Sequence, residues 1–137
     1  MIFLDSNIWL YALITHQATQ KTSMAKNLIR DNRSEIIMSS QVIIEVGVNL
    51  LRKGSFSEPQ VAKFIKDSYQ NFQVVNVTEI ILLKASELRA KYSLSYFDSM
   101  IVSAALDSKS SVLYSEDMHN GLVVEGQMII TNPFVQI

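Results

Sequence analysis

The chain has 137 residues, of which 48% are hydrophobic and 18% are charged. This length suits one domain with a substantial core, and we predict a single domain over residues 1–137. The composition excludes a disordered or low-complexity protein. The formal net charge of −1 provides no global basic field, so a nucleic-acid partner would need local Lys/Arg clusters or a bridging cation.

Cysteine is absent from the sequence, which excludes disulfides and thiolate metal sites and suits a cytoplasmic protein. The first residues lead straight into an apolar strand, without a cationic leader or a long apolar run. We therefore expect neither a signal peptide nor a membrane span, and no membrane partner.

Short apolar runs alternate with amphipathic helical patterns along the whole chain. Strands are predicted at 2–4, 35–38, 72–77 and 112–114, followed by a small hairpin at 123–128 and a final strand ending near 131. Helices are predicted at 8–11 (one short turn), 19–31, 41–53, 57–68, 78–92 and 95–107. This alternation predicts an α/β protein, a three-layer α/β/α sandwich with a Rossmann-like, mainly parallel sheet.

Residues at the helix ends support these boundaries. Ser39 and Ser40 offer an N-cap for the helix at 41–53, and Gly54 is suited to a left-handed cap at its C-terminus. The run Ser-Glu-Pro-Gln at 57–60 is a capping-box pattern with proline in the first turn. Both helices are thus expected to have sharply defined ends.

Four acids fall at related places in this layout. Asp5 follows the first strand, and Asp117 follows the fourth strand. Glu45 lies in the second turn of the helix after the second strand, and Asp98 lies in the first turn of a later helix. Because the carboxyl ends of parallel strands face one edge of the sheet, we expect the four carboxylates to converge there. Converging carboxylates repel one another unless protons or cations neutralise them.

The chemistry of such a site follows from its donors. An all-oxygen ligand set without Cys or a His cluster favours Mg²⁺ or Mn²⁺ over zinc. Such a site suits metal-assisted hydrolysis of a phosphodiester, because a cation lowers the pKa of bound water, positions a nonbridging oxygen and offsets charge on the leaving group.

Each acid also has a purely structural interpretation. Asp5 could cap the helix that follows it, and Ser95 and Asp98 could form a reciprocal cap. Glu45 lies on a helical stripe of polar side chains that could be a solvated face. Asp117 belongs to a pair of acids that could be an ordinary polar turn. The predicted site would be absent only if all of these structural interpretations were correct at once.

Several short segments match a known pattern in order. They read Phe-Leu-Asp-Ser-Asn-Ile at 3–8, Ser-Gln-Val-Ile-Ile-Glu at 40–45, Leu-Ser-Tyr-Phe-Asp-Ser-Met-Ile at 94–101, Leu-Tyr-Ser-Glu-Asp-Met at 113–118 and Gly-Gln-Met-Ile-Ile-Thr-Asn-Pro-Phe at 126–134. Over nearly the whole chain, this set resembles the PIN-domain ribonucleases, and among them the small VapC-type toxins of prokaryotic toxin–antitoxin pairs.

The resemblance implies a five-stranded parallel sheet and a Mg²⁺/Mn²⁺ site whose ligands are Asp5, Glu45, Asp98 and Asp117. Ser115 would then match the family's supporting hydroxyl, and Asn7 the polar residue after the first acid. Glu116 departs from the pattern, because an extra acid leaves open which of Glu116 and Asp117 points at the metal. The resemblance also implies an RNA substrate, a homodimer and a cognate antitoxin whose C-terminal segment blocks the site.

The residues and the resemblance together predict a metal-dependent endoribonuclease, the toxin of a toxin–antitoxin pair. The three aspartates would hold the cation, and Glu45 would bind or orient the cation and its water. In-line attack on phosphorus would leave a 5′-phosphate and a 3′-hydroxyl. Candidate contacts to the RNA backbone are Lys21, Lys26, Arg30, Arg52 and Lys53.

The alternative is a non-catalytic PIN-like module that binds RNA or a protein partner. Acids at all four positions speak against it, since a degenerate copy would tend to lose one. A phosphotransfer protein with an aspartyl nucleophile is disfavoured, because Asn7 stands where haloacid-dehalogenase-type phosphatases place a second acid. A receiver-like protein is disfavoured because the third strand ends in Val-Asn-Val at 75–77, without an aspartate.

Overall fold

The structure is a computed structural model that describes residues 1–16 and 19–135. Its strands are β1 (Ile2–Leu4), β2 (Ile36–Ser39), β3 (Gln73–Val75), β4 (Val112–Tyr114), β5 (Val123–Val124) and β6 (Met128–Thr131). They form one sheet in the order β3-β2-β1-β4-β6-β5, parallel except that β5 runs antiparallel to β6. The predicted mainly parallel sheet is confirmed. In the part of the chain that the structure describes, it has six strands rather than five, because the first arm of the predicted hairpin joins β6.

Among the described residues, six helices cover the sheet. They are α1 (Ser6–Leu13), α2 (Gln20–Asp31), α3 (Ser40–Arg52), α4 (Glu58–Asn71), α5 (Glu79–Tyr92) and α6 (Tyr96–Asp107), with a short 3₁₀ turn at Arg33–Glu35. α1 packs on α2 and α3, α3 packs on α4, and α5 packs on α6. The predicted three-layer sandwich is therefore confirmed. Within the described ranges, no helix is long and apolar enough to cross a membrane.

The core lies around β1 and β2, the two strands in which every residue is buried. Strands covered on both faces read as continuous apolar runs instead of alternating patterns, as Ile-Phe-Leu and Ile-Ile-Met do here. Burial of each large apolar side chain contributes about 1.5–3 kcal/mol. The largest fully buried side chains include Phe3, Leu4, Ile8, Ile37, Met38, Leu50, Ile101, Leu113 and Ile130.

Most predicted helix starts agree with the structure. Ser39 caps α3, since its hydroxyl accepts from the Val42 N–H at 3.2 Å. The capping box at 57–60 forms both of its hydrogen bonds at the start of α4. Two helices are longer than predicted: α1 begins directly after Asp5, and α4 continues to Asn71.

The predicted left-handed cap at Gly54 is wrong. The left-handed residue in this turn is Ser55, at φ 58°. Gly54 is needed for a different reason, because a Cβ there would lie 2.9 Å from the carbonyl oxygen of Leu50 and 3.1 Å from Cγ1 of Ile14. The constraint at Gly54 is therefore a close approach of backbone, which the local sequence pattern does not reveal.

Candidate active site

Asp5 lies at the carboxyl end of the central strand β1, with its side chain only 5% exposed. Its Oδ1 accepts from the Ser6 N–H at 2.7 Å, which caps α1, and its Oδ2 accepts from the Ser115 hydroxyl at 2.8 Å. The structural interpretation of Asp5 as a cap is thus correct for one of its oxygens. The second oxygen ties β1 to the end of β4, at the expected edge of the sheet.

Burial raises the pKa of Asp5 to about 6 from its ordinary value of 3.8. The hydrogen bonds from Ser115 and Ser6 lower the pKa, whereas the charges of Glu45 and Asp98 raise it further. The fold therefore brings the carboxylates of α3 and α6 within electrostatic reach of Asp5. This is like-charge crowding among three of the four acids that the sequence layout predicts to converge.

Asp117 is joined to Asp5 through the turn after β4. The Ser115 hydroxyl oxygen accepts from the Asp117 N–H at 3.2 Å while donating to Asp5. The Asn7 side chain, in the first turn of α1, donates from Nδ2 to Asp117 Oδ2 at 3.0 Å. Ser115 and Asn7 thus occupy the two supporting positions between the first and the fourth acid.

Glu116 points elsewhere. Its carboxylate accepts from the Tyr11 hydroxyl at 2.6 Å and from Lys21 Nζ at 2.5 Å. Burial alone would raise the pKa of Glu116, but the hydrogen bonds from Lys21 and Tyr11 outweigh burial and lower the pKa below its usual range. Both oxygens of Glu116 are therefore engaged by a cation and a phenol, whereas Asp117 meets only an amide.

Glu45 is held by a buried amide one turn earlier on the same helix. Gln41 is buried, and its Nε2 donates to Glu45 Oε2 at 3.1 Å and to the Phe97 carbonyl at 3.2 Å. Both partners are acceptors, which fixes the orientation of the amide. Gln41 thus links the first two turns of α3 to the first turn of α6, next to Asp98.

The reciprocal cap proposed for Asp98 forms in only one direction. The Ser95 hydroxyl accepts from the Asp98 N–H at 3.2 Å. No return bond from the Ser95 N–H to the Asp98 carboxylate occurs among the hydrogen bonds of residues 19–135. The carboxylate of Asp98 is thus left available to face the other acids.

The five basic candidates lie in three places. Lys21 is paired with Glu116, and Arg52 and Lys53 lie at the end of α3 away from Gln41. Lys26 and Arg30 line a cleft of about 580 Å³ between α1, α2 and α4, which we call the α1–α2–α4 cleft. Its apolar residues include Trp9, Leu13, Phe56, Phe64 and Phe72, and its basic ones are Lys26, Arg30, Arg33 and Lys63.

Comparison with known proteins bears on this arrangement of acids. The sequence profile described as the PIN domain matches residues 2–119, which is most of the chain. The chain belongs to the PIN domain family. Comparison of the sequence with curated proteins gives no match.

Solved structures of similar fold support the same assignment for this PIN domain. A toxin–antitoxin complex from Klebsiella pneumoniae superposes with a TM-score of 0.73 at 16% identity, over 98% of each chain. Mycobacterium tuberculosis VapC20, a toxin that cleaves the sarcin–ricin loop, gives 0.68 at 16% identity, over 85% of this chain and 92% of its own. VapBC2 from Rickettsia felis, bound to promoter DNA, gives 0.64 at 17% identity, over 96% and 98%. At these identities the likeness concerns the fold, and the resemblance to VapC-type PIN domains is confirmed.

The donors of the PIN domain fit a hard cation better than a soft one. Among the residues that the structure describes, no three carboxylate or imidazole groups lie close enough together to encircle an ion. Mg²⁺ does not require such a cage, since it keeps several waters and binds through one or two carboxylates plus substrate phosphates. A buried carboxylate crowded by two others is the environment that a divalent cation would relieve.

Sequence reasoning missed several residues around the acids. Gln41 and Tyr11 were not recognised because an isolated amide or phenol on a helix carries no local signal. The sequence places Tyr96 and Phe97 at a helix start, and only the structure shows that both aromatic side chains are exposed there. Their position directly before Asp98 was the one signal in the sequence that they belong to the site.

Proposed function

We propose that this PIN domain is a metal-dependent endoribonuclease, the toxin of a toxin–antitoxin pair. The observation that supports it most is the environment of Asp5, a buried carboxylate whose pKa is raised by burial and by the charges of Glu45 and Asp98. A fold stabilised only by its core has no need of three crowded acids at one sheet edge. The proteins of similar fold include a toxin–antitoxin complex and a toxin that cleaves the sarcin–ricin loop, which supports the same function.

The proposed metal site comprises Asp5, Asp98 and Asp117, of which one or two carboxylates would bind the cation directly and the rest through its waters, with Glu45 as a further ligand or as the group that orients the water. A bound Mg²⁺ or Mn²⁺ would neutralise charge on the phosphate and supply an acidified water for in-line attack. The chain's own contribution is positioning. Ser115 orients Asp5, Asn7 orients Asp117 and Gln41 orients Glu45.

Cleavage of RNA with and without metal tests this function. The purified protein should cut single-stranded or loop RNA only with Mg²⁺ or Mn²⁺, leaving 5′-phosphate and 3′-hydroxyl ends, and EDTA should stop the reaction. Asp117→Asn should lose activity by roughly tenfold or more, as expected for a group that holds the ion. Glu116→Gln is the matched control and should change cleavage little, because Glu116 is engaged by Lys21 and Tyr11.

Two results would contradict the proposal. Cleavage that persists after exhaustive chelation would remove the metal mechanism, and a 2′,3′-cyclic phosphate product would remove the attack by water. A larger loss in Glu116→Gln than in Asp117→Asn would mean that the fourth ligand is assigned wrongly. Binding of RNA without cleavage under any metal would favour the non-catalytic alternative.

We propose the α1–α2–α4 cleft as the docking surface of the cognate antitoxin. Its apolar floor and its basic side chains suit an extended or helical segment that carries both apolar and acidic residues. Trp9 lies in the cleft on α1, the helix that Asp5 caps, so a segment bound there contacts the same helix that Asp5 begins to order.

Trp9 also gives the measurement, since it is the single tryptophan of the chain. The product of an adjacent reading frame that encodes a small DNA-binding protein should shift or quench the emission of Trp9 at a 1:1 ratio of chains and inhibit cleavage. Arg30→Glu on the cleft should weaken this binding, whereas Arg52→Glu at the end of α3 should not. Tight inhibition without any change in Trp9 emission would remove the cleft as the docking surface.

A further inference from the structure

Two aromatic rings stand exposed at the start of α6, directly before Asp98. The side chains of Tyr96 and Phe97 are 57% and 63% exposed, and their rings meet edge to face with centroids 5.8 Å apart. Adjacent exposed aromatic rings leave apolar surface in water, which in a folded protein marks a surface that binds something. Their position in the chain places that surface beside a candidate ligand of the cation.

A cation is fixed against the Tyr96 ring. The guanidinium carbon of Arg89 lies 4.1 Å from the centroid of the Tyr96 ring, and Arg89 Nη1 donates to the Ser99 hydroxyl at 2.8 Å. Within residues 1–16 and 19–135, Arg89 forms no ion pair with a carboxylate. We call Arg89, Tyr96 and Phe97 the aromatic step. It combines two π faces with a pre-oriented positive charge that is not neutralised by a carboxylate.

Hydrogen bonds link the aromatic step to the acids. The carbonyl of Phe97 accepts from Gln41 Nε2 at 3.2 Å, and the same nitrogen donates to Glu45 at 3.1 Å. The next residue of the chain is Asp98. A molecule held on the step is therefore held next to Asp98 in the chain and is linked through Gln41 to Glu45.

We propose that the aromatic step binds unpaired nucleotides next to the phosphate that is cut, with one base stacked on Phe97, a neighbouring base on the face of Tyr96 opposite Arg89, and a backbone phosphate contacted by Arg89. This rests on the proposed ribonuclease function and narrows its substrate to RNA that is single-stranded at the step. Every base has a π face, so stacking on aromatic side chains accepts any sequence, but only bases that have left a helix present that face.

A second copy of this chain is the competing occupant of the same surface. The charge of Arg89 argues against it. Burying a guanidinium in a subunit interface without a carboxylate partner would cost free energy, whereas a phosphate neutralises it. The observations on the step thus favour a nucleotide over a protein surface.

Binding of RNA measured in EDTA, without cleavage, tests the step. The probes are a single-stranded RNA of ten nucleotides that carries 2-aminopurine and the same strand annealed to its complement. Phe97→Leu and Tyr96→Leu keep the apolar volume but remove the π face. Each should weaken binding of the single strand by about tenfold and reduce the quenching of 2-aminopurine, with binding of the duplex unchanged.

Two further variants provide a control for the aromatic rings and a test of the phosphate contact. Tyr69→Leu removes an aromatic ring that is 53% exposed on α4 and should leave binding unchanged, which makes it the matched control. Arg89→Gln should lower the slope of log affinity against log salt by about 0.7, the value for one phosphate contact to a single strand. Melting curves verify that each variant is folded.

The step is overturned if Phe97→Leu and Tyr96→Leu bind the single strand like the wild type, or if either converts a dimer into a monomer in light scattering, which would assign the rings to a subunit interface. The proposed function fails separately. A wild type that quenches 2-aminopurine in EDTA but never cuts RNA loses the nuclease and keeps the step, and one that cuts RNA without quenching loses only the step.

Discussion

The hydrogen bonds of Asp5 favour its charged form, whereas its burial disfavours that form when no cation is bound. Its carboxylate caps α1 and orients the turn after β4, yet it is buried beside Glu45 and Asp98. The hydrogen bonds from Ser6 and Ser115 partly offset the cost of burying the charge, but burial outweighs them, so the pKa of Asp5 rises to about 6. The residue that matters most to the proposed site is thus a source of instability in the metal-free protein.

This instability should depend on pH. Because the pKa of Asp5 in the folded protein, about 6, lies above its ordinary value of 3.8, the folded state binds more protons between these values. The contribution of Asp5 to stability is therefore fully present below about pH 4 and is lost as pH rises through about 6, by up to about 3 kcal/mol. Asp5→Asn should remove this dependence and be more stable than the wild type at pH 7.5 in EDTA.

Urea unfolding at pH 4.5 and pH 7.5 in EDTA measures the difference between Asp5→Asn and the wild type. We expect the advantage of the variant to be larger at pH 7.5. Asp107→Asn, at the exposed end of α6, is the control and should give the same difference at both pH values. Added Mn²⁺ should stabilise the wild type and not Asp5→Asn. An advantage that does not change with pH would show that Asp5 is not held in a raised-pKa environment.

The turn between α3 and α4 illustrates how elements are joined in this fold. α3 must end abruptly at Arg52 so that α4 can return along it, and two consecutive residues carry the constraint. Gly54 brings its backbone against Leu50, and Ser55 adopts the left-handed conformation at φ 58°. Only the first of these positions has the residue that its geometry prefers.

Substitutions at the two positions of this turn should change the free energy of unfolding in opposite directions. Gly54→Ala should lower the free energy of unfolding by about 1–3 kcal/mol, because its Cβ would lie 2.9 Å from a backbone oxygen that cannot move freely. Ser55→Gly should raise it by up to about 1 kcal/mol, since glycine adopts φ > 0 without a steric penalty.

Gly47→Ala, in the middle of α3, is the matched control for the glycine at position 54. A Cβ there meets only Val61 Cγ1, at an ordinary 3.5 Å, so we expect a gain of about 0.5–1 kcal/mol. Urea unfolding of the three variants provides the comparison. A Gly54→Ala protein as stable as Gly47→Ala would mean that the turn adjusts easily and that the close contact does not matter.

The surface of the molecule carries a stripe of exposed apolar side chains that lie outside the core. Ile44, Val48 and Leu51 lie at i, i+4 and i+7 on one face of α3 and are 64%, 44% and 42% exposed. Spacing of this kind forms a ridge that a second copy of the same helix can pack against. We propose this stripe as the centre of a homodimer interface.

Light scattering after size-exclusion chromatography tests the dimer. The wild type should elute as a dimer, and Val48→Glu should elute as a monomer, because it places a charge in the centre of the stripe. Ile65→Glu is the matched control on α4, at 39% exposure, and should remain dimeric. A monomeric wild type at all concentrations, or a dimeric Val48→Glu, would contradict the interface.

The sequence by itself determined the element order, most helix starts and the edge at which the acids lie. These features depend on local physics. Apolar runs such as Ile2–Leu4 form buried strands, and hydroxyls such as that of Ser39 satisfy the free N–H groups of the next helix. Because the strands are parallel, the position of Asp5 after a strand was sufficient to predict its edge of the sheet.

Only the tertiary structure decided which residues the polar side chains at that edge contact. Glu116 meets Lys21 and Tyr11, which are 95 and 105 residues away in the chain, and this separates it from Asp117. Gln41 bridges Glu45 to the Phe97 carbonyl, 56 residues away. The contacts of a polar side chain with residues distant in the chain depend on how the layers pack, and no periodicity or local propensity encodes them.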